Sequence, residues 1–226
     1  MFILLINYKE IKMKYKFVPS IIAKNQNEFE ERFDKVKDIS KFYQLDIMDG
    51  KFVKNKSLLF DFILPTDDKL LYEIHLMLEE KGLKIWLNQN IRKFSGNDIF
   101  IIQAETRNFE KYIRELKNEK LRVGLALNPD TSVEKIKNLI KEIDLVLIMT
   151  VNPGKYGAKL LPSTLKKVKE IRKLNHKIDI EVDGSVNEET VLDMKDAGAN
   201  RFVLGSYLQD SGDVKESWKA IKKVAS

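Results

Sequence analysis

The chain contains no cysteine, so disulfide bonds and thiolate chemistry are excluded, and a reducing, cytoplasmic setting is expected. Histidine is nearly absent too: only His75 and His176 are present, so imidazole chemistry has few places to reside. No apolar run approaches the roughly 20 residues that cross a bilayer. The opening run, residues 1–6, is too short to span and lacks a small-residue cleavage site after it, so no membrane partner is expected. Linkers, low-complexity tracts and repeats beyond a strand–helix alternation are lacking. There is no arginine-rich tail and no aromatic–basic RNA motif. The net charge of +6 therefore does not read as a nucleic-acid footprint. The lysines sit in helical stretches such as 135–141 and 166–173, and a positive balance suits attraction of a phosphorylated anion.

What is present is a regular alternation. Short apolar runs at 17–22, 43–48, 71–77, 98–103, 122–127, 145–149, 178–182 and 201–204 read as eight strands. Between them, 27–39, a short piece at 58–64, 81–94, 109–118, 132–141, 163–174, 188–197 and 214–225 read as helices. Asp130-Thr131-Ser132 forms an N-cap cluster, and Gly198 is a helix stop. Alternation implies parallel strands with right-handed crossovers. Eight units in 226 residues imply one closed α/β barrel, a single (β/α)₈ TIM barrel, rather than an open sheet. Residues 13–226 are expected to form that single domain. Residues 1–12 read as an N-terminal extension, or as a misassigned start with Met13 as the natural one.

In such a barrel, chemistry sits where strands end. The second strand ends in Gln44-Leu45-Asp46-Ile47-Met48-Asp49-Gly50, and the seventh delivers Asp183-Gly184-Ser185. Alternation puts Gln44, Asp46 and Met48 on one face. If that face is the interior, Asp46 is a carboxylate that needs a partner or a metal. Asp49 beside Gly50 reads as a structural loop cap. His75 ends the third strand level with Asp46 and Asp183; alone it would be an ordinary core histidine. His176 falls at the opposite end and is given no role. Gln103 ends the fourth strand, and Ser20 the first. The glycines after the sixth strand, Gly154 and Gly157, could expose backbone N–H groups to an anion, as could Gly184-Ser185 and Gly205-Ser206. Two carboxylates facing one small molecule from opposite sides suit an enzyme that moves a proton from one face of a carbon to the other.

The motifs taken together resemble the ribulose-phosphate 3-epimerase family, which includes allulose-6-phosphate 3-epimerase-like relatives. They are Val18-Pro19-Ser20-Ile21, Leu45-Asp46-Ile47-Met48-Asp49-Gly50-Lys51-Phe52-Val53, His75-Leu76-Met77, Gly124-Leu125-Ala126-Leu127-Asn128-Pro129, Met149-Thr150-Val151-Asn152-Pro153-Gly154, Glu181-Val182-Asp183-Gly184-Ser185 and Gly205-Ser206. The resemblance implies a ribulose-phosphate-binding barrel in which Asp46 and Asp183 are the acid/base pair. Asp46, His75 and Asp183 would hold one divalent metal ion, zinc, iron, manganese or cobalt. Ser20 and His75 would touch the substrate. Met48, Met77 and Met149, which the pattern alone reads as core, would cover the reacting carbon. Gly154, Lys155, Tyr156, Gly157, Gly184, Ser185, Gly205 and Ser206 would hold the phosphate.

The chain departs from the family at three places. Gln44 stands where the fourth metal ligand is usually His, and Gln103 also replaces a usual His. The glycine loop reads Gly154-Lys155-Tyr156-Gly157 in place of Gly-Phe-Gly-Gly. A carboxamide oxygen is a poorer zinc ligand than imidazole, so metal binding is expected to be weakened, absent or altered in preference. The expected reaction is interconversion of D-ribulose 5-phosphate and D-xylulose 5-phosphate. Alternatives are epimerisation of another ketose phosphate, such as allulose 6-phosphate, and a sugar-phosphate-binding barrel with impaired catalysis. A homo-oligomer is expected.

Overall fold

Valine, isoleucine, leucine and phenylalanine dominate the strand segments, where branched and aromatic side chains pack well on a pleated surface. A computed structural model describes residues 15–65, 67, 69–153 and 158–225. The strands are β1 (Lys16–Ile21), β2 (Phe42–Asp49), β3 (Lys56–Ser57), β4 (Leu71–Met77), β5 (Ile99–Gln103), β6 (Arg122–Leu127), β7 (Leu145–Met149), β8 (Asp179–Asp183) and β9 (Arg201–Leu204). Eight of them are parallel, and β1 pairs with both β9 and β2, which closes the barrel. The short β3 is a hairpin arm, antiparallel to the end of β2.

The helices are α1 (Gln26–Val36), α2 (Glu80–Asn90), α3 (Phe109–Asn118), α4 (Thr164–Leu174), α5 (Val191–Ala197), α6 (Ser206–Gln209) and α7 (Val214–Ala225). Asn25 caps α1 by accepting from the Glu28 backbone N–H, and Gly198 closes α5 at φ +109°, which only glycine adopts freely. Among the described residues no helix is long and apolar enough to cross a membrane.

Two expected helices are not there. Residues 58–64 form an irregular loop, because tertiary bonds claim their backbone: Leu58 N–H donates to Ala23 O, and Trp86 Nε1 donates to Leu58 O. Leu58 itself has φ +51°, outside the helical region. Residues 132–141 form two three-ten turns, Val133–Lys135 and Lys137–Leu139, with Ile136 N–H bonding Val133 O and Leu139 N–H bonding Ile136 O. Val133, Ile136, Asn138 and Ile140 are weak helix formers, and the stretch is too short to outweigh them.

Among the described residues three apolar clusters form, of which two carry the barrel; the third is Met48, Val53 and Met77 at the strand ends. The larger lies between the sheet and the helices and includes Leu45, Ile47, Ile74, Leu76, Val182 and Phe202. The smaller lies inside the barrel, where Ile99, Ile101, Ala126, Leu145, Leu147 and Met149 fill the β5–β7 side. Most of the rest of the inward face is polar, apart from Val18, Val203, Met48 and Met77. Gln44, Glu73, His75, Gln103, Glu181 and Arg201 are all buried there. Strand register puts Gln44 beside Glu73, Asp46 beside His75, and Glu181 beside Arg201. The barrel interior is thus divided into an apolar half and an ionic half, and the ionic half runs up to the strand ends.

Candidate active site

β2 and β4 run in register, so Asp46 and His75 arrive at one height, two residues above Gln44 and Glu73. β8 brings Asp183 beside Met149 of β7 and Val203 of β9. The ligand atoms of Asp46, His75 and Asp183 all lie within 4.8 Å of one another. His75 Nδ1 stands 3.2 Å from Asp46 Oδ1 and 3.5 Å from Asp183 Oδ2. Gln44 Nε2 donates to Asp46 Oδ1 and to Asp183 Oδ2, 2.8 Å each. The two acids therefore face one another, with an amide and an imidazole beneath them.

Burial, the nearby charge of Asp183 and the hydrogen bonds of the site act together on Asp46; burial dominates and raises its pKa. Burial lowers the pKa of His75, but its hydrogen bonds to Asp183 and Asp46, and their charges, more than reverse this and push it up to about 9. A proton is thus held between His75 and the acids. Gln103 Nε2 lies 2.9 Å from His75 Nε2. A ring protonated on both nitrogens needs an acceptor there, and Gln103 Oε1, buried without a partner, supplies it if the amide turns over.

Above the acids opens a cleft of about 270 Å³, lined by Ser20, Asp46, Met48, Met77, Met149 and Asp183 at its floor and by Gly184, Ser185, Gly205 and Ser206 at its rim. All three methionines are buried. Gln44, His75 and Gln103 lie beneath the floor rather than on it. His75, expected to touch substrate as well as metal, is fully buried and meets the cleft only through the two acids. Gly154, Lys155, Tyr156 and Gly157 lie outside the described residues, as do residues 1–12. His176 is exposed in the loop before β8, far from the strand ends. Asp49 is a loop cap, as expected: Oδ1 accepts from Lys51 and Phe52 N–H, and Oδ2 from Glu79 N–H.

Sequence reasoning placed Thr150 and Val151 in a family motif but gave them no role, and did not single out Asn55. Val151 and Asn55 line the cleft. Thr150 is fully buried, and its hydroxyl donates to the carbonyls of Asp183 and Gly184. Its signal was its place directly after a strand that ends on Met149. The acids and the imidazole also fit a divalent ion: two carboxylate oxygens and one nitrogen converge, and Gln44 Oε1 is a further buried oxygen without a partner.

Comparison with known proteins agrees with this geometry. The sequence profile of the ribulose-phosphate 3 epimerase family matches residues 16–209. Ribulose-phosphate 3-epimerase of Bacillus subtilis (strain 168) is 34% identical over 222 residues, covering 92% of this chain and 98% of the relative. The chloroplastic ribulose-5-phosphate-3-epimerase of Arabidopsis thaliana is 32% identical, covering 90% of this chain and 75% of the relative. Among solved structures, a 3-hexulose-6-phosphate synthase superposes with a TM-score of 0.66 at 12% identity, covering 93% of this chain and 100% of the other, a likeness of fold alone. By its sequence, its barrel and the match over nearly its whole length, the chain belongs to the ribulose-phosphate 3-epimerase family.

Proposed function

We propose that this chain interconverts D-ribulose 5-phosphate and D-xylulose 5-phosphate by moving a proton at C3. The observation that carries the reading is the opposition of Asp46 and Asp183, whose oxygens approach within 4.8 Å under an open cleft. The C3 proton of such a ketose is acidic because it lies next to a carbonyl. One carboxylate removes it from one face, leaving an enediolate. The other returns a proton to the opposite face, and C3 is inverted. A general base works best with a pKa near the working pH, and the burial that raises Asp46 moves it that way. His75 and Gln44 hold the two acids in place and offset their mutual repulsion. Met48, Met77 and Met149 exclude water from the reacting carbon.

Asp46, His75 and Asp183 would hold one divalent ion, which supplies positive charge for the oxygen that becomes negative when the proton leaves. Gly184-Ser185 and Gly205-Ser206 offer backbone N–H groups and hydroxyls to the phosphate, and Ser20 offers a hydroxyl to the sugar. The same reading takes residues 13–226 as one catalytic barrel, acting in the cytoplasm as a homo-oligomer. A coupled assay that follows xylulose 5-phosphate, run beside allulose 6-phosphate as rival substrate, tests it. Turnover of ribulose 5-phosphate with at most a trace on the hexulose phosphate is expected. No turnover of the pentulose phosphate, or a preference for the hexulose, would overturn it.

A further inference from the structure

Gln44 occupies the point where the two acids of the site converge. It is fully buried, and both hydrogens of its Nε2 are used, one on Asp46 Oδ1 and one on Asp183 Oδ2. Its Oε1 is buried with no hydrogen-bond partner in the protein. Half a turn about the last side-chain torsion exchanges the oxygen and nitrogen of a carboxamide without changing its shape. In the turned form Oε1 faces the two carboxylates. Three oxygens so placed repel one another, so that form is favoured only around a cation. An unpartnered acceptor for the displaced Nε2 stands on the neighbouring strand. Glu73 is the Cα partner of Gln44 on the inward face, and its Oε2 has no hydrogen-bond partner.

Gln103 repeats the arrangement beside His75. Its Oε1 is also buried and unpartnered, while its Nε2 stands 2.9 Å from His75 Nε2. Turned over, Gln103 accepts the ring proton at Nε2 and leaves the Nδ1 lone pair facing Asp46 and Asp183. Gln44 thus has one orientation that suits the acids alone and another that suits a cation among them, while a turned Gln103 accepts from His75 in either case.

We propose that Gln44 is the fourth protein ligand of the divalent ion, through Oε1, and that it sets which ion is held. The donors are then two carboxylates, one carboxamide oxygen and one imidazole nitrogen. Three oxygens and one nitrogen are a harder set than two nitrogens and two oxygens, and shift preference from zinc toward manganese. The inference rests on the metal reading given above, and its test reads metal rather than turnover.

Chelator-treated protein is dialysed against equal concentrations of Mn²⁺ and Zn²⁺, and bound metal is measured by mass spectrometry. Gln44→His is expected to raise the bound zinc-to-manganese ratio at least about tenfold over wild type. Gln44→Glu, which keeps an oxygen donor at the same reach, is expected to hold the ratio within about threefold. Circular dichroism confirms that each variant is folded; if Gln44→His is not, the ratio of Gln44→Glu against Gln44→Leu is compared instead, with Gln44→Leu expected to lose manganese at least about tenfold. An unchanged ratio in the folded histidine variant, manganese retained in the leucine variant, or no metal on the wild type would each overturn the inference. Ribulose 5-phosphate turnover, measured on the same samples, separates this from the functional reading. Turnover with an unchanged metal ratio overturns the role of Gln44 alone.

Discussion

Asp46 and Asp183 meet the same amide nitrogen at 2.8 Å, yet they reach it from strands that lie 137 residues apart in sequence, 183 − 46. Asp46→Asn and Asp183→Asn keep the shape and remove the base. Each is expected to lower turnover by about 10²–10⁴-fold, with an unchanged circular dichroism spectrum. Near-normal turnover in either variant would remove that residue from the reaction. His75 gives a second prediction, for the chelator-treated protein. Its pKa rises from 6.5 in the free side chain to about 9 in the fold. A raised pKa means that the folded state holds the proton more tightly, so the stabilisation is complete below 6.5 and is lost as pH rises through about 9. Asp46, also raised, acts in the same sense. Urea unfolding at pH values on either side of that window should show a loss of at most about 3 kcal/mol. In His75→Gln the slope should flatten; a slope of undiminished size there would assign it to another group.

At the scale of elements, the site depends on how the end of β7 grips the end of β8. Thr150 ties down the carbonyls of Asp183 and Gly184, and its own N–H donates to Asp183 O at 2.8 Å. Thr150→Val removes only the hydroxyl bonds and leaves buried carbonyls less well satisfied, at a cost of about 1–3 kcal/mol. Turnover should fall further than stability, because the backbone of Asp183 is what loosens; thermal melts alongside kinetics check this. Gly184 sits at φ +116°, and a Cβ there would run into the Val151 side chain. Gly184→Ala should therefore destabilise, and Val151→Ala should recover part of the loss.

These ties show what the sequence discloses. The alternation of apolar runs disclosed the eight strands, because burial against helices on one side leaves a strong signature. Period-two spacing disclosed that Gln44, Asp46 and Met48 share a face, and the structure puts all three inward. The grip of Thr150 was hidden, since hydroxyl-to-carbonyl bonds leave no pattern. The stretches at 58–64 and 132–141 misled for a related reason: their apolar spacing fits a helix, and only tertiary hydrogen bonds and local three-ten turns decide otherwise.

For the whole molecule, the divided barrel interior matters most. Arg201, 1% exposed, is set among three carboxylates. Its Nε lies 3.0 Å from Glu181 Oε2 and its Nη1 3.2 Å from Asp179 Oδ2, and Nη2 is paired with Glu73. Burial, then the charges of Asp183, Asp179 and Asp46, hold the Glu181 pKa well above the usual carboxylate range. Glu73 stands two residues before His75 and Glu181 two before Asp183, so the same parity that led to the acids also marked this cluster. Arg201→Met leaves the buried acids uncompensated and should cost about 3–5 kcal/mol in urea unfolding. Adding Glu181→Leu should recover part of that cost; additive losses would mean that the two do not interact.

The most direct measurement of the central claim is NMR of ribulose 5-phosphate incubated with the protein in D₂O. Two opposed carboxylates that relay a proton across C3 predict xylulose 5-phosphate carrying deuterium at C3, formed by the wild type and suppressed in Asp46→Asn and Asp183→Asn. A substrate that keeps its C3 proton and its configuration in the presence of folded, metal-loaded protein would contradict the account.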